Sequence, residues 1–135
     1  KKMKKIEHIG IAVSNLNEAD KLYSQLLDTE PYKRESVELE NVLTSFFKTD
    51  NVKIELLQGV GQNNAISKFI RKKGEGIHHI AFAVEDIHFE IERLTKLGFK
   101  IINKSPKKGA DNKLICFMHP KSTNHVLIEL CQEIK

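Results

Sequence analysis

Four residues in this chain combine metal-ligating chemistry with an awkward setting: His8, Glu55, His79 and Glu129 each interrupt an apolar run. The runs are Glu7-His8-Ile9-Gly10-Ile11-Ala12-Val13, Lys53-Ile54-Glu55-Leu56-Leu57, His78-His79-Ile80-Ala81-Phe82-Ala83-Val84 and Val126-Leu127-Ile128-Glu129-Leu130-Cys131. A carboxylate set among apolar strand residues is costly to bury unless it is paired, protonated or bound to metal. Two imidazoles and two carboxylates meeting in one pocket form a donor set whose charge a divalent cation neutralises. Such a set suits Zn, Ni, Co, Mn or Fe(II) and leaves coordination positions open for substrate. Taken singly, each residue reads as a hydrogen-bonded core His or a surface Glu. Spacing changes that, because His79 follows His8 by 71 positions and Glu129 follows Glu55 by 74.

The elements that must position these residues repeat with the same register. Residues 7–13 and 78–84 each place a His at the head of an alternating apolar run, the period-two pattern of a strand. An amphipathic helix follows each. Asn15 is the expected N-cap of the first, with Glu18 at capping-box spacing and Leu16, Ala19, Leu22, Tyr23, Leu26 and Leu27 on one face. Asp86 caps the second; Ile87, Ile91, Leu94 and Leu97 form its face and Gly98 ends it. Three apolar segments follow each helix, near 32–38, 42–49 and 52–57, then near 99–103, 113–119 and 126–131. Asp50-Asn51 is a tight-turn signal. Asn64 to Lys73 reads as a linker helix with Ile66, Phe69 and Ile70 inward.

The expected fold is therefore α+β: two tandem βαβββ modules forming a curved, partly open eight-stranded barrel-like sheet with helices outside. One domain spans 1–135, with module 1 near 5–58, the linker helix near 62–74 and module 2 near 76–132. Strand alternation sends His8, Gly10, Ala12, His79, Ala81 and Ala83 to the face away from the helices, and Glu55 and Glu129 with them. Glu7 and His78 fall on the helix-side parity and are weaker candidates.

Composition narrows the function classes. At 135 residues, 40% hydrophobic and 30% charged, the chain matches one globular domain. No apolar run reaches the roughly 20 residues of a membrane span, and no signal-peptide core follows the basic start. Met3 is read as the start, with Lys1 and Lys2 as additions. The net charge of +4 is mild and spread out, and the few aromatics offer no stacking platform, so nucleic acid is not an expected partner. Cys116 and Cys131 make no disulfide framework and no CxxC pair; both are expected to be reduced and buried in a cytoplasmic setting.

On these stretches the chain resembles the vicinal oxygen chelate superfamily and, within it, the methylmalonyl-CoA epimerases. The most epimerase-like part is Phe117-Met118-His119-Pro120-Lys121-Ser122 followed by Val126-Leu127-Ile128-Glu129-Leu130, with Pro106-Lys107-Lys108-Gly109 ahead of it. The resemblance implies that His8, His79 and Glu129 are ligands of one divalent metal (Co, Mn, Ni or Zn), with Glu55 at a position that is Gln or Glu in the family. It implies interconversion of the two epimers of methylmalonyl-CoA, through proton abstraction and return at the carbon alpha to the thioester, via a metal-chelated enolate. Glu129 would serve as ligand and catalytic base. Lys107, Lys121 and Ser122, in loops beside the second module's strands, would bind the acyl-CoA substrate, and the protein would be a homodimer. His119 is expected to be structural. In two places the chain departs from the pattern. Thr44 stands where one form of the family carries a second Glu base, with Glu40 near but outside the match, and His125 stands where Gly is usual.

Three other readings share the fold. Glyoxalase I uses a similar ligand set on a glutathione hemithioacetal, but His119-Pro120-Lys121-Ser122-Thr123 differs from its usual turn. An extradiol-type dioxygenase would need no carboxylate at Glu55. A metal-free small-molecule binding protein would not need the four polar residues inward, and a metal analysis separates it from the enzymes.

Overall fold

The computed structural model describes Met3 and residues 5–135; Lys1 and Lys2, read above as additions ahead of Met3, lie with Lys4 outside the described residues. Among the described residues there are eight strands and three α-helices. The first half runs β1 (Lys5–Ala12), α1 (Leu16–Leu27), β2 (Lys33–Val37), β3 (Val42–Lys48) and β4 (Lys53–Gly59), and α2 (Ala65–Lys73) follows. The second runs β5 (Gly76–Ala83), α3 (Ile87–Lys96), β6 (Lys107–Lys108), β7 (Lys113–Met118) and β8 (Ile128–Glu133). The strand orders are β2-β3-β4-β1 and β5-β8-β7-β6, so both halves are βαβββ. In each, the first strand pairs in parallel with the last and the others pair antiparallel. No described helix is long and apolar enough to cross a membrane.

The chain divides into two compact units, one of residues 8–78 and one of residues 79–135 with the start of β1 through Glu7. In the first, Val13, Leu16, Phe47 and Leu56 are buried together, with Ala19, Tyr23 and Leu27 of α1 packed on them. Fully burying side chains of this size contributes roughly 1.5–3 kcal/mol each. On the other side of this sheet, Ala12, Val42 and Leu57 meet Ile66, Phe69 and Ile70 of α2, as the linker-helix reading expected. In the second unit, Ile87, Ile91 and Leu94 of α3 pack with Val84, Cys116, Met118 and Leu130. Ala81, Ile115 and Cys131 form a smaller cluster with Phe117.

The caps follow from residue chemistry. Asn15 Oδ1 accepts from the Glu18 N–H at 3.0 Å, Asp86 Oδ1 from Phe89 at 3.0 Å and Asn64 Oδ1 from Ser67 at 2.7 Å.

Three expectations are corrected in detail. Leu22 and Leu26 are 61% and 70% exposed, because the buried stripe of α1 runs through Leu16, Ala19, Tyr23 and Leu27, which turns the other two outward; Leu97 is likewise exposed at the end of α3. The strand expected near 99–103 is an isolated bridge, Ile101 to Met118. There Asn103 Oδ1 accepts the Phe117 N–H at 3.2 Å, so a side chain replaces the backbone acceptor and the ladder breaks. It resumes beyond Pro106, which has no N–H to offer, as the two-residue β6. Finally, β8 starts at Ile128, because Val126 N–H is bound back to the Thr123 carbonyl in a turn.

Candidate metal centre

Module 1 builds one half of the donor set. Glu55 on β4 lies between Gly10 on β1 and Phe46 on β3, so the three share one face, and His8, two residues before Gly10, shares it too. His8 Nε2 stands 3.3 Å from Glu55 Oε1, with both side chains buried. The ring of Phe46 meets the imidazole edge-on, centroids 6.4 Å apart and planes at 87°.

Module 2 repeats the arrangement. Glu129 on β8 lies between Ala81 on β5 and Phe117 on β7, and His79 is two residues before Ala81. His79 Nε2 is 3.2 Å from Glu129 Oε1, again with both buried. Phe117 meets the His79 ring at 5.7 Å and 90°. The alternation argument thus holds for all four residues: the helix-packed face is occupied by Phe47 and Leu56 in one module and by Cys116 and Leu130 in the other. Glu7, on the opposite parity to His8, is also buried, so burial alone does not distinguish a ligand.

The chemistry of each pair fits a cation. An imidazole nitrogen and a carboxylate oxygen are donors that one divalent ion takes together, and in both pairs they stand close enough to do so. Burial, and after it the nearby Glu129 charge, pushes the Cys116 thiol up to about 12. Cys131 Sγ donates to the Phe82 carbonyl at 3.5 Å, and both cysteines are buried and form no disulfide, as expected.

The residues expected to hold substrate fall on separate segments of module 2. Lys107 is exposed on β6, the outermost strand of its sheet. Lys121 and Ser122 lie in a 3-10 turn, Pro120–Ser122. The Ser122 hydroxyl oxygen accepts from the Lys100 N–H at 2.8 Å, which fixes the turn to the chain after α3. His119 Nδ1 accepts from the Lys121 N–H at 3.1 Å, the structural role expected of it. His125 takes a left-handed backbone (φ 67°), which explains why Gly would sit easily there. A separate cavity of about 410 Å³ opens beside the start of α1, between Tyr23 and Glu75, and holds none of the four ligand candidates.

Sequence reasoning missed two repeated features. One is the Phe46 and Phe117 pair, 71 positions apart like the histidines. The other is Gln58 and Gln132, 74 apart like the glutamates. Gln58 Oε1 accepts the N–H of Leu16, the first residue of α1, at 2.7 Å, and Gln132 Oε1 accepts that of Ile87, the first of α3, also at 2.7 Å. Each glutamine lies three residues beyond Glu55 or Glu129 on its strand. Searching the two offsets for every repeated polar or aromatic residue would have found both.

Residues 7–117 match the model of the glyoxalase/bleomycin resistance protein/dioxygenase superfamily. The mitochondrial methylmalonyl-CoA epimerase of Dictyostelium discoideum is 39% identical over 93% of this chain and 76% of its own length. The ethylmalonyl-CoA/methylmalonyl-CoA epimerase of Cereibacter sphaeroides is 36% identical over 95% of this chain and 97% of its own. Among solved structures, a variant of Streptomyces coelicolor methylmalonyl-CoA epimerase in complex with 2-nitronate-propionyl-CoA superposes with a TM-score of 0.92 at 28% identity, covering 98% of this chain and 96% of that one.

Proposed function

Since the chain belongs to the glyoxalase/bleomycin resistance protein/dioxygenase superfamily, we propose that it interconverts the epimers of methylmalonyl-CoA with one divalent cation held by His8, Glu55, His79 and Glu129. The observation that carries this reading is the duplicated buried His–Glu pair, in a chain whose relatives at 39% and 36% identity are named for that epimerisation. When bound, the cation supplies a Lewis acid for the thioester carbonyl and carboxylate oxygens of the substrate.

The remaining work falls to side chains. Glu129 takes the proton from the carbon between thioester and carboxylate, a contribution typically of 10²–10⁴-fold for a well-placed base. Phe46 and Phe117, edge-on to the two imidazoles, hold their orientation and exclude water from the pairs. Lys107, Lys121 and Ser122 hold the acyl-CoA, the lysines through its phosphates or carboxylate and Ser122 through its hydroxyl hydrogen, since the oxygen is already an acceptor. A cytoplasmic homodimer belongs to the same reading, and sedimentation of the purified protein tests the dimer.

The decisive experiment is α-proton exchange of each methylmalonyl-CoA epimer in deuterated water, with metal content measured on the same sample. One equivalent of divalent metal and exchange with inversion are expected. No exchange with metal present ends the epimerase reading, and absence of stoichiometric metal with no effect of Glu129→Ala points to a binding protein. The Cereibacter relative's name adds ethylmalonyl-CoA, so that thioester is assayed beside it.

A further inference from the structure

The ring that faces the His79–Glu129 pair is held less by burial than its counterpart in module 1. Phe46 is 1% exposed and lies between two continuous strands, where its carbonyl accepts the Tyr32 N–H at 2.8 Å. Phe117 is only part-buried, and the outer strand beside it is broken. Its placement therefore depends more on how its backbone is tied.

Both main-chain groups of Phe117 turn to that broken edge. Its carbonyl accepts the Ile102 N–H at 2.8 Å, and its N–H donates to Asn103 Oδ1 at 3.2 Å. In an unbroken antiparallel ladder the Ile102 carbonyl would take that N–H. The N–H and C=O of a strand residue point to the same side, so neither group of Phe117 is spent on β8. Phe117 and Glu129, which are in register, are thus a non-hydrogen-bonded pair. Such pairs bring Cα atoms to about 4.5 Å and side chains closer than in the bonded kind. The ring accordingly has Glu129 as its cross-strand neighbour while it meets the His79 imidazole at 5.7 Å and 90°. Of the two bonds that hold position 117, the one from Ile102 needs only a backbone, whatever the sequence. The other needs an acceptor of the right reach at position 103.

We infer that Asn103 is a positioning residue for His79: through the Phe117 N–H it sets the ring against which the imidazole is oriented. All three residues lie in the unit of residues 79–135. What this adds to function rests on the reading of His79 as a metal ligand. Without the acceptor, Phe117 is tied to its outer edge by the carbonyl alone, and the ring is free to tilt from the perpendicular. A ligand's orientation depends on such outer partners, whose loss typically weakens metal affinity by about 10–100-fold.

The test records the imidazole proton resonances of His79 in metal-free protein, then titrates Co²⁺, in the wild type, Asn103→Leu, Asn103→Asp and Phe117→Leu. Asn103→Leu keeps the volume and removes the acceptor, whereas Asn103→Asp keeps an acceptor oxygen at the same reach. Phe117→Leu removes the ring and marks the limit of a His79 with no aromatic neighbour there. Asn103→Leu is expected to move the His79 resonances toward those of Phe117→Leu and to weaken Co²⁺ binding about tenfold. Asn103→Asp is expected to stay close to the wild type in both. Wild-type His79 resonances in Asn103→Leu overturn the inference, as does unchanged Co²⁺ affinity beside moved resonances. Asn103→Asp displaced as far as Asn103→Leu overturns it too, since packing and not the hydrogen bond would then be at work. Should Asn103→Leu fail to fold, Asn103→Ser, whose oxygen stops short of the Phe117 N–H, takes its place. A wild type that binds no Co²⁺ overturns the ligand reading, while the resonances, read without metal, still decide the positioning.

Discussion

The two modules carry the same His–Glu–Phe constellation on unlike ground. In module 1 the position before Phe46 on the ligand-bearing face is Thr44, with Glu35 next to it; in module 2 the position 71 residues on is Ile115, packed with Ala81 and Cys131. On the helix side the contrast repeats. Ser45 is fully buried with a hydroxyl that has no partner among the described residues, while its counterpart Cys116 packs cleanly with the apolar core. The five-residue β2 of module 1 is matched by a two-residue β6. The comparison teaches that duplication preserved the buried His–Glu pair of each half and left the neighbouring positions free to differ. Module 1 kept a polar row beside its His–Glu pair, and module 2 an apolar one.

The comparison breaks most severely at the ligands. Glu129→Gln removes a charged donor and the proposed base, and kcat is expected to fall about 10²–10⁴-fold; Glu55→Gln, a ligand only, is expected to weaken metal retention with a smaller loss of rate. Equal losses in both would remove the distinction drawn between the modules. Next come the aromatic rings. Phe46→Ala empties a fully buried site and is expected to cost about 3–5 kcal/mol in urea unfolding, with Phe117→Ala, at a part-exposed ring, costing less. Gln58→Ala and Gln132→Ala each strip a partner from a helix's first N–H and are expected to cost about 1–2 kcal/mol, alike in the two modules. Ser45→Cys, which copies module 2 into module 1, is expected to gain about 1 kcal/mol by removing an unpartnered hydroxyl.

Cys116 supplies a pH test of the same contrast. Its thiol ionises near 12 in the folded protein and near the ordinary cysteine value when unfolded, so the native state binds the extra proton between them. Stability from this group is complete below the unfolded pKa and is lost as pH rises towards 12. Cys116→Ser is expected to flatten the fall of the melting temperature above pH 9, the smallest of these effects.

Much of this was legible from residues. The alternation around His8 and His79 assigned faces correctly because side-chain direction in a strand depends on parity alone. Caps at Asn15, Asn64 and Asp86 were legible because a short polar side chain ahead of an apolar stripe has few other uses. What escaped was tertiary. The exposure of Leu22 and Leu26 depends on which part of a wide apolar stripe the sheet accepts. The broken ladder at Asn103 depends on a side-chain acceptor that no periodicity announces.

The glutamine braces have a consequence for where negative charge can settle. At the amino ends of α1 and α3, the first N–H is already bound by a neutral amide and the third by Asn15 or Asp86. A helix start is ordinarily attractive to phosphate because those donors are vacant. Here they are spoken for, and at α3 Asp86 adds repulsion. Anionic groups are thereby turned away from both helix tips.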